Sequence, residues 1–149
     1  MEILAPVTGE SVPLSEVPDE VFAEGMAGEG GAIIPGASGE ALAPVSGTLV
    51  KLFEGGHAFG IATEEGIELI VHVGLDTIEM RGGGFEKIAT EGDEVEAGQP
   101  IVRFDLEEIQ AAGYDPVTPV VVTNPEDHPV RDLRSGAVRA GEPLFETGD

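Results

Sequence analysis

The chain has 149 residues, with 29 acidic side chains against 7 Lys plus Arg, a formal charge of −22, and no cysteine. So anionic a chain is repelled by phosphate backbones and anionic leaflets, which argues against nucleic-acid binding and membrane docking. No apolar run approaches the ~20 residues of a bilayer span, and without cysteine there is no disulfide framework, thiolate zinc site or thiol nucleophile. The expectation is one soluble cytoplasmic domain over residues 1–149, long enough to bury a core. Its acidity reads as solubility and attraction of basic partners, with adaptation to high salt as the alternative.

Along the chain, helical periodicity is scarce. A short helical turn is expected from Pro18, carrying Asp19, Val21 and Phe22. A second helix is expected from Leu106 to Ala112, with Asp105 as N-cap, Glu108 completing a capping box and Gly113 as the stop. Elsewhere short apolar runs, at 47–53, 67–73, 100–104 and 119–123, are broken by Gly, Pro, Asp and Ser. That pattern predicts an all-β antiparallel sandwich or barrel with one or two short helices. Two internal repeats point to a duplicated motif. Leu4-Ala5-Pro6-Val7-Thr8-Gly9 recurs as Leu42-Ala43-Pro44-Val45-Ser46-Gly47. Val95-Glu96-Ala97-Gly98-Gln99-Pro100-Ile101 recurs as Val138-Arg139-Ala140-Gly141-Glu142-Pro143-Leu144.

With no thiol, the candidate nucleophiles are the histidines. His128 stands in a polar, proline-flanked loop and reads as a bystander. His57 and His72 lie in strand-like segments around the turn Thr63-Glu64-Glu65-Gly66. On the second strand Leu69, Val71 and Val73 mark a core face, so His72 points the other way with Ile70. If Thr63 pairs with Gly66, His57 falls directly opposite His72, with Cβ atoms roughly 4.5–5.5 Å apart. A three-residue loop with Gly66 in the left-handed region shifts that register by one. Two adjacent imidazoles suit phosphoryl transfer, one ring attacking phosphorus while the other binds its oxygens. Gly74 is expected to let backbone N–H groups approach the phosphoryl group. The same pair offers zinc two nitrogens, short of the three or four it takes.

His57-Ala58-Phe59-Gly60-Ile61 followed by Val71-His72-Val73-Gly74-Leu75-Asp76-Thr77 resembles the glucose-type enzyme IIA of the bacterial sugar phosphotransferase system. The likeness extends through Ala5-Pro6-Val7-Thr8-Gly9, Val17-Pro18-Asp19, Ala43-Pro44-Val45-Ser46-Gly47, Glu91-Gly92-Asp93 and Thr118-Pro119-Val120-Val121-Val122. It implies a β-sandwich in which His72 accepts a phosphoryl group from the phosphocarrier HPr and passes it to a cysteine of an enzyme IIB domain of a sugar permease. His57 is then the phosphoryl stabiliser, Asp19, Asp76 and Gly74 flank the site, and Phe22, Phe53, Phe59 and Val71 belong to the partner face. No cofactor is required, zinc at His57 and His72 is an additional expectation, and a protein offering one face to successive partners is expected to be a monomer. One position departs from the pattern: Gly55 stands where family members commonly place a Thr that orients the stabilising histidine.

Three other readings compete. A biotin or lipoyl carrier shares the pattern at 92–98 but needs its modified lysine at an exposed hairpin tip, and Lys51 lies in a strand pattern. A zinc peptidase of related fold requires a His-x-His pair, which the chain lacks. A non-catalytic regulatory module of the same fold, with or without a metal, is kept in play by Gly55. The sugar, and whether the chain stands alone or is one domain of a larger permease, are left open.

Overall fold

A computed structural model describes residues 1–148 of the chain. The strands, in chain order, are β1 (Glu2–Leu4), β2 (Gly9–Pro13), β3 (Glu29–Pro35), β4 (Gly39–Leu42), β5 (Gly47–Leu52), β6 (Ala58–Ala62), β7 (Glu68–His72), β8 (Phe85–Lys87), β9 (Glu94–Val95), β10 (Pro100–Phe104), β11 (Thr118–Val122), β12 (Val130–Arg131), β13 (Gly136–Val138) and β14 (Pro143–Thr147). Two short helices, α1 (Glu20–Ala23) and α2 (Leu106–Ala111), interrupt them. All pairings are antiparallel. One sheet has eight strands in the order β13-β2-β3-β11-β7-β6-β5-β9, and two three-stranded sheets are ordered β1-β14-β12 and β4-β10-β8. The all-β sandwich expected from the turn-punctuated pattern is the observed fold.

The sequence repeats are the joints of this architecture. Leu4 N–H donates to the Pro44 carbonyl (2.8 Å) and Leu42 N–H to that of Pro6 (2.9 Å), so the first repeat pair clasps itself reciprocally. Each copy then binds one copy of the second pair. Ala5 N–H donates to the Glu142 carbonyl and Ala43 N–H to that of Gln99, while Gly141 and Gly98 return bonds to Ala5 and Ala43. The side chains follow suit, Thr8 Oγ1 accepting from Ala140 N–H and Ser46 Oγ from Ala97 N–H, both at 2.9 Å. Equivalent bonds at equivalent positions make the duplication a structural one.

The main core lies between the large sheet and the two small ones, and includes Ile3, Ile33, Leu49, Phe59, Ile61, Leu69, Val71, Ile101 and Phe145. Each such side chain contributes about 1.5–3 kcal/mol by leaving water. A second cluster, Val12, Leu14, Val17, Ala32, Leu75, Val117 and Val121, gathers Phe22 and Ile70 against it. It forms the floor of the histidine site.

Both helices form where expected, with altered ends. In α1, Asp19 caps by accepting from Val21 N–H at 2.9 Å, so Pro18 precedes the cap and is not in the first turn. In α2, Asp105 accepts from Glu108 N–H at 3.1 Å. The reciprocal half of the capping box is replaced, because Asp105 N–H donates to the Gly84 carbonyl. Lys51 lies within β5, away from any hairpin tip.

Candidate functional site

The β6–β7 hairpin builds the site from its open end. Its loop is Glu64, Glu65 and Gly66, closed by Thr63 N–H to the Ile67 carbonyl (3.0 Å), with Gly66 at φ +94°. A left-handed residue ending a three-residue loop absorbs one position, and the register is therefore Ala58↔His72. Direct opposition of the two histidines is thus corrected: the His57 carbonyl accepts from Val73 N–H at 2.7 Å. The rings meet all the same. His57 sits on a bend before β6, and Ala58 places only a methyl group across from His72. The ring centroids are 5.2 Å apart at 68°. His128 lies at the other end of the hairpin, where a Cβ on Gly66 would stand 3.5 Å from its Nε2.

His72 is half-buried, its Nδ1 2.6 Å from the Gly74 carbonyl oxygen. A carbonyl only accepts, so Nδ1 carries the ring proton and Nε2 holds the free lone pair. Gly74 thus meets the ring through its C=O, a contact not expected of it from the sequence. Its φ is +84°, and a Cβ there would lie 2.5 Å from Thr77 Cγ2. Burial lowers the His72 pKa; the Gly74 bond and the charges of Asp19 and Asp76 raise it in part. Asp19 caps α1, and Asp76 holds a left-handed turn at φ 59°. The two carboxylates thus act on the ring from different elements, and their charges offset part of the lowering that burial imposes.

His57 is 3% exposed, with Phe53 at 5.3 Å and Phe85 at 6.4 Å between ring centroids. Its Nδ1 has no hydrogen-bond partner among the described residues. A Cβ at Gly55 would stand 3.4 Å from that atom, so the residue that departs from the family pattern adjoins the nitrogen left without a partner. Burial, and secondarily the neighbouring His72, lower the His57 pKa to about 4.

That shift fixes a pH dependence. The unfolded chain takes up this proton near the ordinary histidine value of about 6.5, the folded chain only near 4. The His57 contribution to stability is full above about 6.5 and is lost as pH falls towards 4, reaching about 2 kcal/mol by about pH 5. Urea midpoints at about pH 7 and about pH 5 should fall further for wild type than for His57→Gln. Parallel losses in the two proteins would show that His57 takes its proton freely.

Among the partner-face residues expected from the sequence, Phe22 and Phe53 stand at the rings, Phe22 6.0 Å from His72. Phe59 and Val71 are corrected: both are 0% exposed, paired with each other across β6 and β7, and directed into the main core. Alternation along β7 already put Val71 on that face. Exposed apolar side chains next in sequence to site residues are Val21 (47%), beside Phe22 on α1, and Ile78 (57%), in the turn after Asp76. Sequence reading missed them, as it missed Phe85 and Thr77. Phe85 was hidden because it reaches His57 from a strand of another sheet. Among the described residues, no group of three or more His, Asp or Glu side chains could hold a metal ion. No helix among them is long and apolar enough to cross a membrane.

Fold and site together define a duplicated β-sandwich bearing a paired-histidine surface centre. A family model described as phosphoenolpyruvate-dependent sugar phosphotransferase system, EIIA 1, matches residues 1–128. The chain belongs to this EIIA family, a family of phosphocarriers in sugar transport. It is similar to the glucose-specific EIIA component of Haemophilus influenzae, 41% identical over 95% of this chain and 85% of that one. The beta-glucoside-specific EIIBCA component of Bacillus subtilis is 45% identical over 96% of this chain, which spans only 24% of that protein. Among solved structures, glucose permease IIA from Mycoplasma capricolum matches with TM-score 0.90 and 39% identity, covering 97% of this chain and 94% of that one.

Proposed function

We propose that His72 Nε2 accepts a phosphoryl group from HPr and passes it to a cysteine of an enzyme IIB domain, with His57 binding the phosphoryl oxygens. The observation that carries this is the Nδ1–H bond of His72 to the Gly74 carbonyl, which presents Nε2 as the nucleophile. A phosphorus–nitrogen bond forms there as the bond from phosphorus to the donor breaks, and the reverse exchange delivers the group to sulfur. Nothing is oxidised or reduced. The ring becomes cationic on phosphorylation, and the Gly74 oxygen stabilises that charge through the same hydrogen bond. Catalysis is positioning and charge stabilisation, as phosphoryl transfer requires.

The acceptor cysteine comes from another domain, since this chain has none. The names EIIBCA and EIICBA of relatives, in which an A component is joined to B and C, support an enzyme IIB acceptor. Phe22, Phe53, Val21 and Ile78 form the apolar docking rim, and the −22 charge steers a basic partner. The chain acts as one EIIA domain, a cytoplasmic monomer. The partnerless His57 Nδ1 favours one second reading, a regulatory module that keeps the fold without accepting phosphate. Intact mass after incubation with phosphoenolpyruvate, enzyme I and HPr separates the two. The phosphocarrier gains one acid-labile phosphoryl group that maps to His72. An unmodified mass with a matched HPr would leave the regulatory reading standing.

A further inference from the structure

The nucleophile's orientation depends on a carbonyl that belongs to a glycine at φ +84°, a residue with no side chain of its own to hold it. Backbone bonds hold it instead. Leu75 N–H, in the same peptide as the Gly74 carbonyl, is bound to the Asp115 carbonyl at 2.9 Å, and Val73 N–H to the His57 carbonyl at 2.7 Å. The Val73 carbonyl, one peptide before Gly74, accepts the Thr77 hydroxyl at 2.7 Å. Thr77 Cγ2 occupies the space over the Gly74 Cα where a Cβ would otherwise point. Thr77 is 0% exposed although the next residue, Ile78, is 57% exposed. A valine would fill the same volume, and a buried hydroxyl costs stability unless it is bonded, so the oxygen marks the bond to Val73 as the residue's distinguishing contact.

From this arrangement we infer that Thr77 is a positioning residue: its hydroxyl clamps the Val73–Gly74 peptide, and with the Asp115 bond to the next peptide this aims the Gly74 carbonyl so that the proton stays on His72 Nδ1 and the lone pair on Nε2. The adjoining His72–Val73 peptide donates its N–H to the His57 carbonyl, so Val73 is held on both sides, by His57 and by Thr77. The catalytic consequence rests on the proposed role of His72; the effect on its tautomer does not.

The test compares Thr77→Val, which keeps the shape and removes the donor, with Thr77→Ser, which keeps the donor. Ring 15N shifts of His72 in the unphosphorylated protein report the tautomer. In Thr77→Val the Nε2–H form should grow about tenfold relative to wild type, the scale of one lost hydrogen bond. Steady-state transfer to the IIB domain should lose about tenfold in kcat while KM stays within about twofold, because the docking rim is untouched. Thr77→Ser should keep the wild-type tautomer and kcat. A folded Thr77→Val with wild-type tautomer and kcat overturns the inference, as does a Thr77→Ser that loses as much as Thr77→Val. Should Thr77→Val fail to fold, Thr77→Ser decides alone, since a tautomer shift with the hydroxyl retained contradicts the clamp. A wild type that takes up no phosphoryl group would remove the proposed function, while the 15N readout would still test the clamp.

Discussion

Replacing His72 with Gln is expected to abolish phosphoryl uptake, whereas His57→Gln should reach the same phosphorylated end point and exchange the group roughly 10²–10³ times more slowly. The asymmetry follows from the two rings' surroundings. His72 holds its proton on Nδ1 against Gly74, so in the proposed transfer Nε2 offers the lone pair that attacks. A glutamine amide has no comparable nucleophilic nitrogen. His57, with its pKa lowered to about 4, is neutral near pH 7 and carries a single ring proton to share with a phosphoryl oxygen. Its ring is held between Phe53, Phe85 and His72. A glutamine at 57 keeps a donor on a rotatable stem, so the aimed contact is lost while the nucleophile remains. End-point mass and rapid-quench rates separate the roles. Equal rates in wild type and His57→Gln would remove His57 from the transition state, and an adduct on His72→Gln would place the nucleophile elsewhere.

The departure at Gly55 bears on the same contact. Because His57 Nδ1 has no partner among the described residues, none of them on that side selects which nitrogen carries the proton. On the proposed role of His57, the donor facing the phosphoryl group is then set by the phosphoryl oxygens themselves when they arrive. This arrangement is looser than one with a fixed hydroxyl, and it is compatible with transfer because an incoming dianion strongly favours an N–H directed at it.

Much of this was legible before any coordinates. The alternation Leu69, Val71, Val73 against Ile70, His72 set the inner and outer faces of β7, and the structure keeps both. The repeated Ala-Pro-Val and Ala-Gly motifs announced a duplication whose hydrogen bonds turn out to be reciprocal. Register was harder, since Glu64-Glu65-Gly66 admits either a two- or a three-residue loop and only the Gly66 conformation decides. Phe59 and Val71 were placed on the partner face by resemblance, against the alternation that directs both inward. Thr77 was invisible because its role depends on contacts with Gly74 and the Val73 carbonyl, and Asp115 because it acts through a backbone atom from a remote loop. Neither leaves a mark in residue type or spacing.

The Gly74 turn gives the largest expected stability effect among these residues. Two costs add in Gly74→Ala. At φ +84° an L-residue loses about 1–2 kcal/mol to strain between its Cβ and the backbone. The new Cβ also stands 2.5 Å from Thr77 Cγ2 and 3.2 Å from the Asp115 carbonyl oxygen. Thr77 is fully buried and bonded, and Asp115 presents backbone, so neither yields cheaply. A total loss of about 2–4 kcal/mol is expected, visible as a lower urea midpoint at unchanged m-value. Gly113→Ala supplies the control. Gly113 has φ +90° and nothing within 4 Å of a new Cβ, so it carries the strain without the clash. Its loss should stay at about 1–2 kcal/mol, with phosphoryl transfer untouched. Gly74→Ala should in addition displace the carbonyl from His72 Nδ1, mix the ring tautomers and slow transfer beyond what the stability change explains. If Gly74→Ala proves no worse than Gly113→Ala in both stability and transfer, the clamp on this turn is not what presents the His72 lone pair.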